Sequence, residues 1–189
     1  MPHPLTELRV IVFASGFNLP VWVAERQDYF TQQGLEVRLT NTPGSVYQIT
    51  NLLAGNYDIA MTAIDNDVAY DEGQGEAPIP PDPGLSAFLG SDDAFLSLLT
   101  QPPYTSFTSL RGKTLTVDAM TTGFAFVLED LLAKHGIAPN QVTFDRQGGV
   151  ADRYLDMLKD KQHAGAIEMT PFDLLGQQVQ HPKADICAR

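Results

Sequence analysis

Lys113–Ile137 reads KTLTVDAMTTGFAFVLEDLLAKHGI, and its reading decides the fold. Lys113–Val117 has the length and β-branched content of a strand. Phe124, Val127, Leu128, Leu131 and Leu132 then recur at i, i+3, i+4, i+7 and i+8, one apolar face of a helix. Gly136 supplies the stop. Between strand and helix lies a polar turn, Asp118–Gly123. The stretch is therefore strand, loop and helix in a row, the building unit of a parallel sheet.

The same unit extends in both directions. Downstream, Gln141–Arg146 reads as a strand, Ala151, Tyr154, Leu155 and Leu158 mark a helix, and Ala164–Met169 (AGAIEM) reads as another strand. Upstream, the order is already present once. Leu8–Ala14 (LRVIVFA) is a strand, a helix opens near Pro20 and runs to about Gln33, and Leu35–Thr40 is a strand. Ser45 caps a helix bearing Val46, Ile49, Leu52 and Leu53, and Asp58–Ile64 (DIAMTAI) is a strand. The blocks 8–64 and 113–169 have their elements in one order. Between them, Gly73–Gly84 (GQGEAPIPPDPG) is a Pro- and Gly-rich linker, and Leu85–Leu99 reads as two strand-like halves broken at Gly90–Asp93. The fold class expected is α/β, with two Rossmann-like lobes of parallel sheets facing one another across a cleft.

The 189 residues carry 12 Lys+Arg against 23 Asp+Glu, a formal net charge of −11. That balance excludes nucleic acid as the main partner, because phosphate binding needs a basic face. The chain also lacks an uncharged apolar run of the ~18–20 residues that span a bilayer, and a basic-then-apolar secretory signal. Its single cysteine, Cys187, excludes an internal disulfide and CxxC chemistry. The charge is uneven: between Arg38 and Arg111 there is no Lys, Arg or His, and all charges there are acidic. Those acids serve either as a solvated face or, at Asp65, Asp92 and Asp93, as part of a site for a ligand with amine or hydroxyl groups.

In open parallel sheets, ligands bind beyond the carboxyl ends of the strands. That rule selects Ser15–Leu19, Ile64–Asp67, Asp118–Gly123, Gln147–Val150 and Glu168–Pro171. Thr121, Thr122 and Gly123 open the best-defined helix, so their backbone N–H groups can hold an anion, cap the helix, or do both. Gly148–Gly149 either lets backbone approach a ligand or is a plain turn. Phe17 and Phe124 lie beside these loops and are the candidate apolar walls. Arg146 and Arg153 flank the second-lobe loops and are read first as surface ion pairs. The GxSxG, GxxxxGK[ST] and HExxH patterns are absent, and the histidines are scattered. No catalytic constellation, metal site or cofactor is expected; Glu168, at a strand end, lacks an evident catalytic partner.

The stretches YFTQQGLEVRL, LLAGNYDIAMTAI and SLRGKTLTVDAMTTGFAFVLEDLLAKHGI resemble the solute-binding proteins of ABC transporters, in the nitrate/sulfonate/taurine-type group with the type II periplasmic-binding-protein fold. The resemblance implies a non-catalytic protein that captures a small organic solute (a sulfonate, carboxylate or zwitterion) in the interlobe cleft and delivers it to a membrane permease. By position, it implies Phe17, Asn18, Asp65, Asn66, Thr121, Thr122, Gly123, Gly149, Glu168 and Thr170 as ligand contacts. It implies lobes at 1–90 and 91–185, with 186–189 starting a return crossover. Members of the group are longer. An incomplete first lobe with exposed apolar surface is therefore expected, and with it association into a homodimer. The group is periplasmic, whereas a chain without a signal fits the cytoplasm equally. Two alternatives share the fold: a cytosolic effector-sensing domain of the LysR type, and an enzyme such as a pyrimidine-precursor synthase, whose cysteine-rich motif is missing here.

Overall fold

The computed structural model describes residues 4–92, 96–159, 161–179 and 183–184. Two sheets carry the architecture. The first is built from β1 (Thr6–Val12), α1 (Leu19–Arg26), α2 (Tyr29–Gln32), β2 (Leu35–Asn41), α3 (Ser45–Leu53), β3 (Ile59–Met61) and α4 (Ile64–Asp71). Its strands lie in the order β2-β1-β3, all parallel. The second sheet receives β4 (Ser97–Thr100), β5 (Thr114–Val117), β6 (Thr143–Arg146), β7 (His163–Glu168) and β8 (Lys183–Ala184), with α5 (Gly123–Lys134), α6 (Val150–Lys159) and α7 (Phe172–Gln178) between them. Its order is β6-β5-β7-β4-β8. The parallel trio β6-β5-β7 thus repeats the arrangement of β2-β1-β3, with the earliest strand in the middle. Crossovers through helices generate that order twice.

The second sheet is not purely parallel: β4 runs antiparallel to both β7 and β8. Two local expectations also change. The helix expected to reach Gln33 ends at Arg26 and restarts at Tyr29, because Asp28 takes a left-handed conformation at φ 58°, which a short polar side chain tolerates. Of the two strand-like halves expected over Leu85–Leu99, the described residues form only β4, which begins at Ser97. Asp93 lies outside the described residues, as do 185–189 and with them the expected return crossover and Cys187.

The larger core lies in the second sheet's layer. Leu98, Leu115, Leu128, Leu132, Ile137 and Ile167 are all fully buried there. The face of α5 that the periodicity picks out is therefore the face that packs. In the first layer Ile11 and Ile49 are buried, but Leu19, Trp22, Val23, Tyr29, Val46 and Tyr47 on its helices are exposed. The carboxyl ends of β1, β3, β5, β6 and β7 point toward a common seam, where the contacts described next occur.

Candidate functional site: the interlobe seam

All five carboxyl-end loops that the sequence singles out reach across the seam directly. In the first, Ser15 Oγ donates to the Thr170 carbonyl at 3.1 Å. The Asp65 carboxylate accepts the Gly123 backbone N–H at the start of α5. Gly149 N–H donates to the Pro43 carbonyl at 3.1 Å. Ser45 Oγ donates to Asp118. Glu76, from the linker, accepts the Met120 N–H and pairs with Arg146 through Nε at 3.0 Å and Nη2 at 3.1 Å.

Glycine is required at one of these turns. Gly148 has φ +81°, and a Cβ there would meet the Pro43 carbonyl oxygen at 2.8 Å. A Cβ on Gly123 would meet the Asp65 carboxyl carbon at 2.7 Å. At the start of α5, Thr122 caps the helix by accepting Ala125 N–H at 3.4 Å. The Gly123 N–H holds the chain's own carboxylate. Burial raises the Asp65 carboxyl above its ordinary value, the Gly123 N–H opposes that rise, and the Asp118 charge adds to it.

Beneath the seam lies a buried charge cluster centred on Arg153, which is 1% exposed. Its Nη1 donates to the Gly148 carbonyl at 2.9 Å and its Nη2 to the Ile167 carbonyl at 3.0 Å. The guanidinium stands 5.1 Å from the Phe124 ring centroid. It lies 3.8 Å from both Asp118 Oδ1 and Glu168 Oε1. Asp118 also accepts Thr122 Oγ1–H at 3.0 Å. Asp173 accepts from Thr170 Oγ1 at 3.1 Å and from Ser97 Oγ at 3.5 Å. Glu168 is fully buried, and neither of its oxygens has a hydrogen-bond partner among the described residues. Burial pushes its carboxyl up to about 8, against the pull of Arg153 and with help from Asp173.

Two hollows open along the seam among the described residues. One, of ≈340 Å³, lies between Phe13–Ala14, Asn41–Pro43 and Gly149–Asp152. The other, of ≈460 Å³, lies between Ala14–Gly16, Trp22 and Pro171–Phe172. They share Ala14 and Asn41.

The structure brings Asp65, Thr122, Gly123, Gly149, Glu168 and Thr170 to the seam. Asn18 is buried, its Nδ2 bound to the Phe13 carbonyl at 2.7 Å, and its Oδ1 has no partner among the described residues. Asn66 is turned to Thr62 Oγ1 at 2.7 Å. Phe17 and Thr121 are half-buried beside the contacts. Asp92 sits away from them on an exposed stretch, where it accepts from Ser91 Oγ at 3.2 Å. Arg146 makes the ion pair expected of it, with its own side chain 55% exposed. Arg153 does not: it is interior, because α6 turns it toward the Gly148 and Ile167 carbonyls. Glu76 and Pro43 are the contacts that the sequence did not single out; Asp118 opens one of the five selected loops.

Two α/β layers of matching strand order, meeting through their carboxyl-end loops, define the type II periplasmic-binding-protein fold. Within it, the chain belongs to the NMT1/THI5-like family, which matches residues 18–187. It is 30% identical over 138 residues to YtlA of Bacillus subtilis (strain 168), designated a binding protein, covering 72% of this chain and 40% of that one. The periplasmic nitrate-binding protein NrtA from Synechocystis PCC 6803 superposes with a TM-score of 0.79 at 14% identity, over 95% of this chain and 51% of that one. The alkanesulfonate-binding protein SsuA from Xanthomonas axonopodis pv. citri, bound to MOPS, gives 0.69 at 12% identity, over 97% and 62%. The chain therefore spans roughly half the length of these relatives. Among the described residues, no helix is long and apolar enough to cross a membrane.

Proposed function

We propose that this chain captures a small organic anion or zwitterion at the interlobe seam, without chemical conversion, for import by an ABC-type transporter. The observation that carries the reading is the meeting of the carboxyl-end loops of both sheets across one seam, with hollows opened beside them. Ligand sites in α/β sheets form at such loop ends. The family, and the binding roles that the names of YtlA, NrtA and SsuA state, support the same reading. The contacts proposed are Phe17, Asn18, Asp65, Asn66, Thr121, Thr122, Gly123, Gly149, Glu168 and Thr170. A membrane permease is the proposed partner and the periplasm the proposed compartment, both by likeness to these relatives. The exposed apolar side chains on α1 and α3 favour a second copy of the chain as a further partner.

Calorimetric titration against sulfonates, carboxylates and amino-acid-like compounds tests the reading. One member is expected to bind saturably at one site per chain and to raise the melting temperature. Absence of saturable heat and of any thermal shift across the panel contradicts it.

A further inference from the structure

Glu76 stands in the Pro- and Gly-rich linker, yet it is held from both sides. The linker folds back on α4: Gln74 N–H donates to the Ala69 carbonyl at 2.7 Å, Ala77 N–H to Tyr70 Oη at 3.3 Å, and Asp82 N–H to the Asp71 carbonyl at 3.1 Å. Tyr70 and Ala77 are both buried, in one cluster with Ile49 of α3. Gly75 permits that approach, since a Cβ there would run into the buried Tyr70 ring. Glu76, between Gly75 and Ala77, is thus carried on a strap fixed to the first sheet's layer. Its side chain reaches the other layer. There Oε1 accepts from the Met120 N–H and from Arg146 Nη2 at 3.1 Å, and Oε2 accepts from Arg146 Nε at 3.0 Å. Among the described residues this is the one ion pair that joins the two layers; every other pair lies within one of them. Isolated surface pairs are weak, but a two-pronged arginine fork with an added backbone donor is the geometry that holds. The Glu76 side chain is only 18% exposed. Every partner in this grip belongs to the chain itself, so the grip needs no solute to form.

We propose that Glu76 is an interlobe latch: it holds the two lobes against each other through Arg146 and the Met120 N–H, and the seam parts only when it lets go. Met120 gives the latch a second effect. It lies in the loop that opens α5, so Glu76 also pins the segment whose Gly123 N–H meets Asp65. The latch goes beyond the capture reading and rests on it for one consequence alone. Asn18 and Glu168, two of the proposed solute contacts, are buried beneath the seam, so a solute reaches them only once the seam parts. Glu76 therefore slows both the entry and the escape of a solute.

The test is pulsed electron-spin resonance on the full chain, with nitroxides on Gln33→Cys and Asn140→Cys in a Cys187→Ser background. Gln33 and Asn140 are exposed and precede β2 and β6, so each reports its own lobe at the pole away from the seam. With the latch intact, one narrow distance distribution is expected at low salt. Glu76→Ala is expected to broaden it and add a second, shifted population, and Arg146→Ala to do the same from the other lobe. Sodium chloride at about 1 M is expected to do so in part without any substitution, because a half-exposed pair is screened; this arm decides where a variant fails to melt cooperatively. Lys134→Ala, which breaks the exposed pair with Asp130 inside α5, is expected to change nothing. An unaltered distribution in both Glu76→Ala and Arg146→Ala overturns the latch, as does a distribution already broad in the unsubstituted chain at low salt. In stopped flow with the tightest solute of the panel, Glu76→Ala is expected to raise the association and dissociation rate constants each by at least about fivefold. Equal rates in the two proteins overturn the gating role. A panel in which nothing binds contradicts capture, whereas the distances decide the latch.

Discussion

Arg153→Ala is expected to lower the melting temperature by about 6–20 °C. The side chain is interior and does several things at once: it pairs with the Gly148 and Ile167 carbonyls, stacks on Phe124, and stands 3.8 Å from two carboxylates. Truncation leaves the carbonyls without donors and Asp118 without its counter-ion. Removing one partner of a buried pair costs about 3–5 kcal/mol, and ~1 kcal/mol moves the midpoint of a domain this size by roughly 2–4 °C. The expected result follows from those two figures, read by thermal unfolding at neutral pH. A fall of less than about 2 °C would mean that the cluster is solvated, against its burial.

The second large effect is in the pH dependence of stability. Glu168 is held near 8, whereas its ordinary value is 4.5. The native chain therefore grips this proton more tightly than the unfolded chain does. The resulting stabilisation is fully present below about pH 4.5, shrinks through the intervening range, and is gone once pH passes about 8. Across that window the native state loses roughly a few kcal/mol from this one group. Glu168→Gln removes the titrating proton and keeps the shape. The variant's midpoint is expected to hold between pH 5 and 8.5 while that of the unsubstituted chain falls. Parallel curves for the two proteins would contradict the burial argument.

The doubled unit was legible because its signals are local. The i, i+3, i+4 face of Phe124–Leu132 and the β-branched runs at Leu8 and Lys113 announce their own conformations. The seam loops were legible one step further, through the rule that carboxyl ends of parallel strands gather ligands. Beyond that step lie facts that only packing decides. Nothing around Arg153 in the chain says that α6 turns it inward, and an arginine is normally a surface residue. Asp28 breaks its helix by a backbone choice that its neighbours permit but do not dictate. The pairing of Asp65 with Gly123 joins residues 58 apart in sequence. Glu76, in a proline-rich linker, gave no sign that it would reach Met120 and Arg146.

Glycine amides provide the sharpest readout of the whole arrangement, since they mark both poles of the sheets. Gly16, Gly123, Gly148 and Gly149 lie at the carboxyl-end seam, whereas Gly34, Gly55, Gly112 and Gly136 precede β2, β3, β5 and β6 at the opposite pole. A two-dimensional amide NMR titration with the tightest solute of the calorimetric panel follows both sets at once. The seam glycines are expected to shift saturably with one common dissociation constant while the other four stay in place. Shifts confined to Gly34, Gly55, Gly112 and Gly136, with the seam amides unmoved, would contradict capture between the lobes.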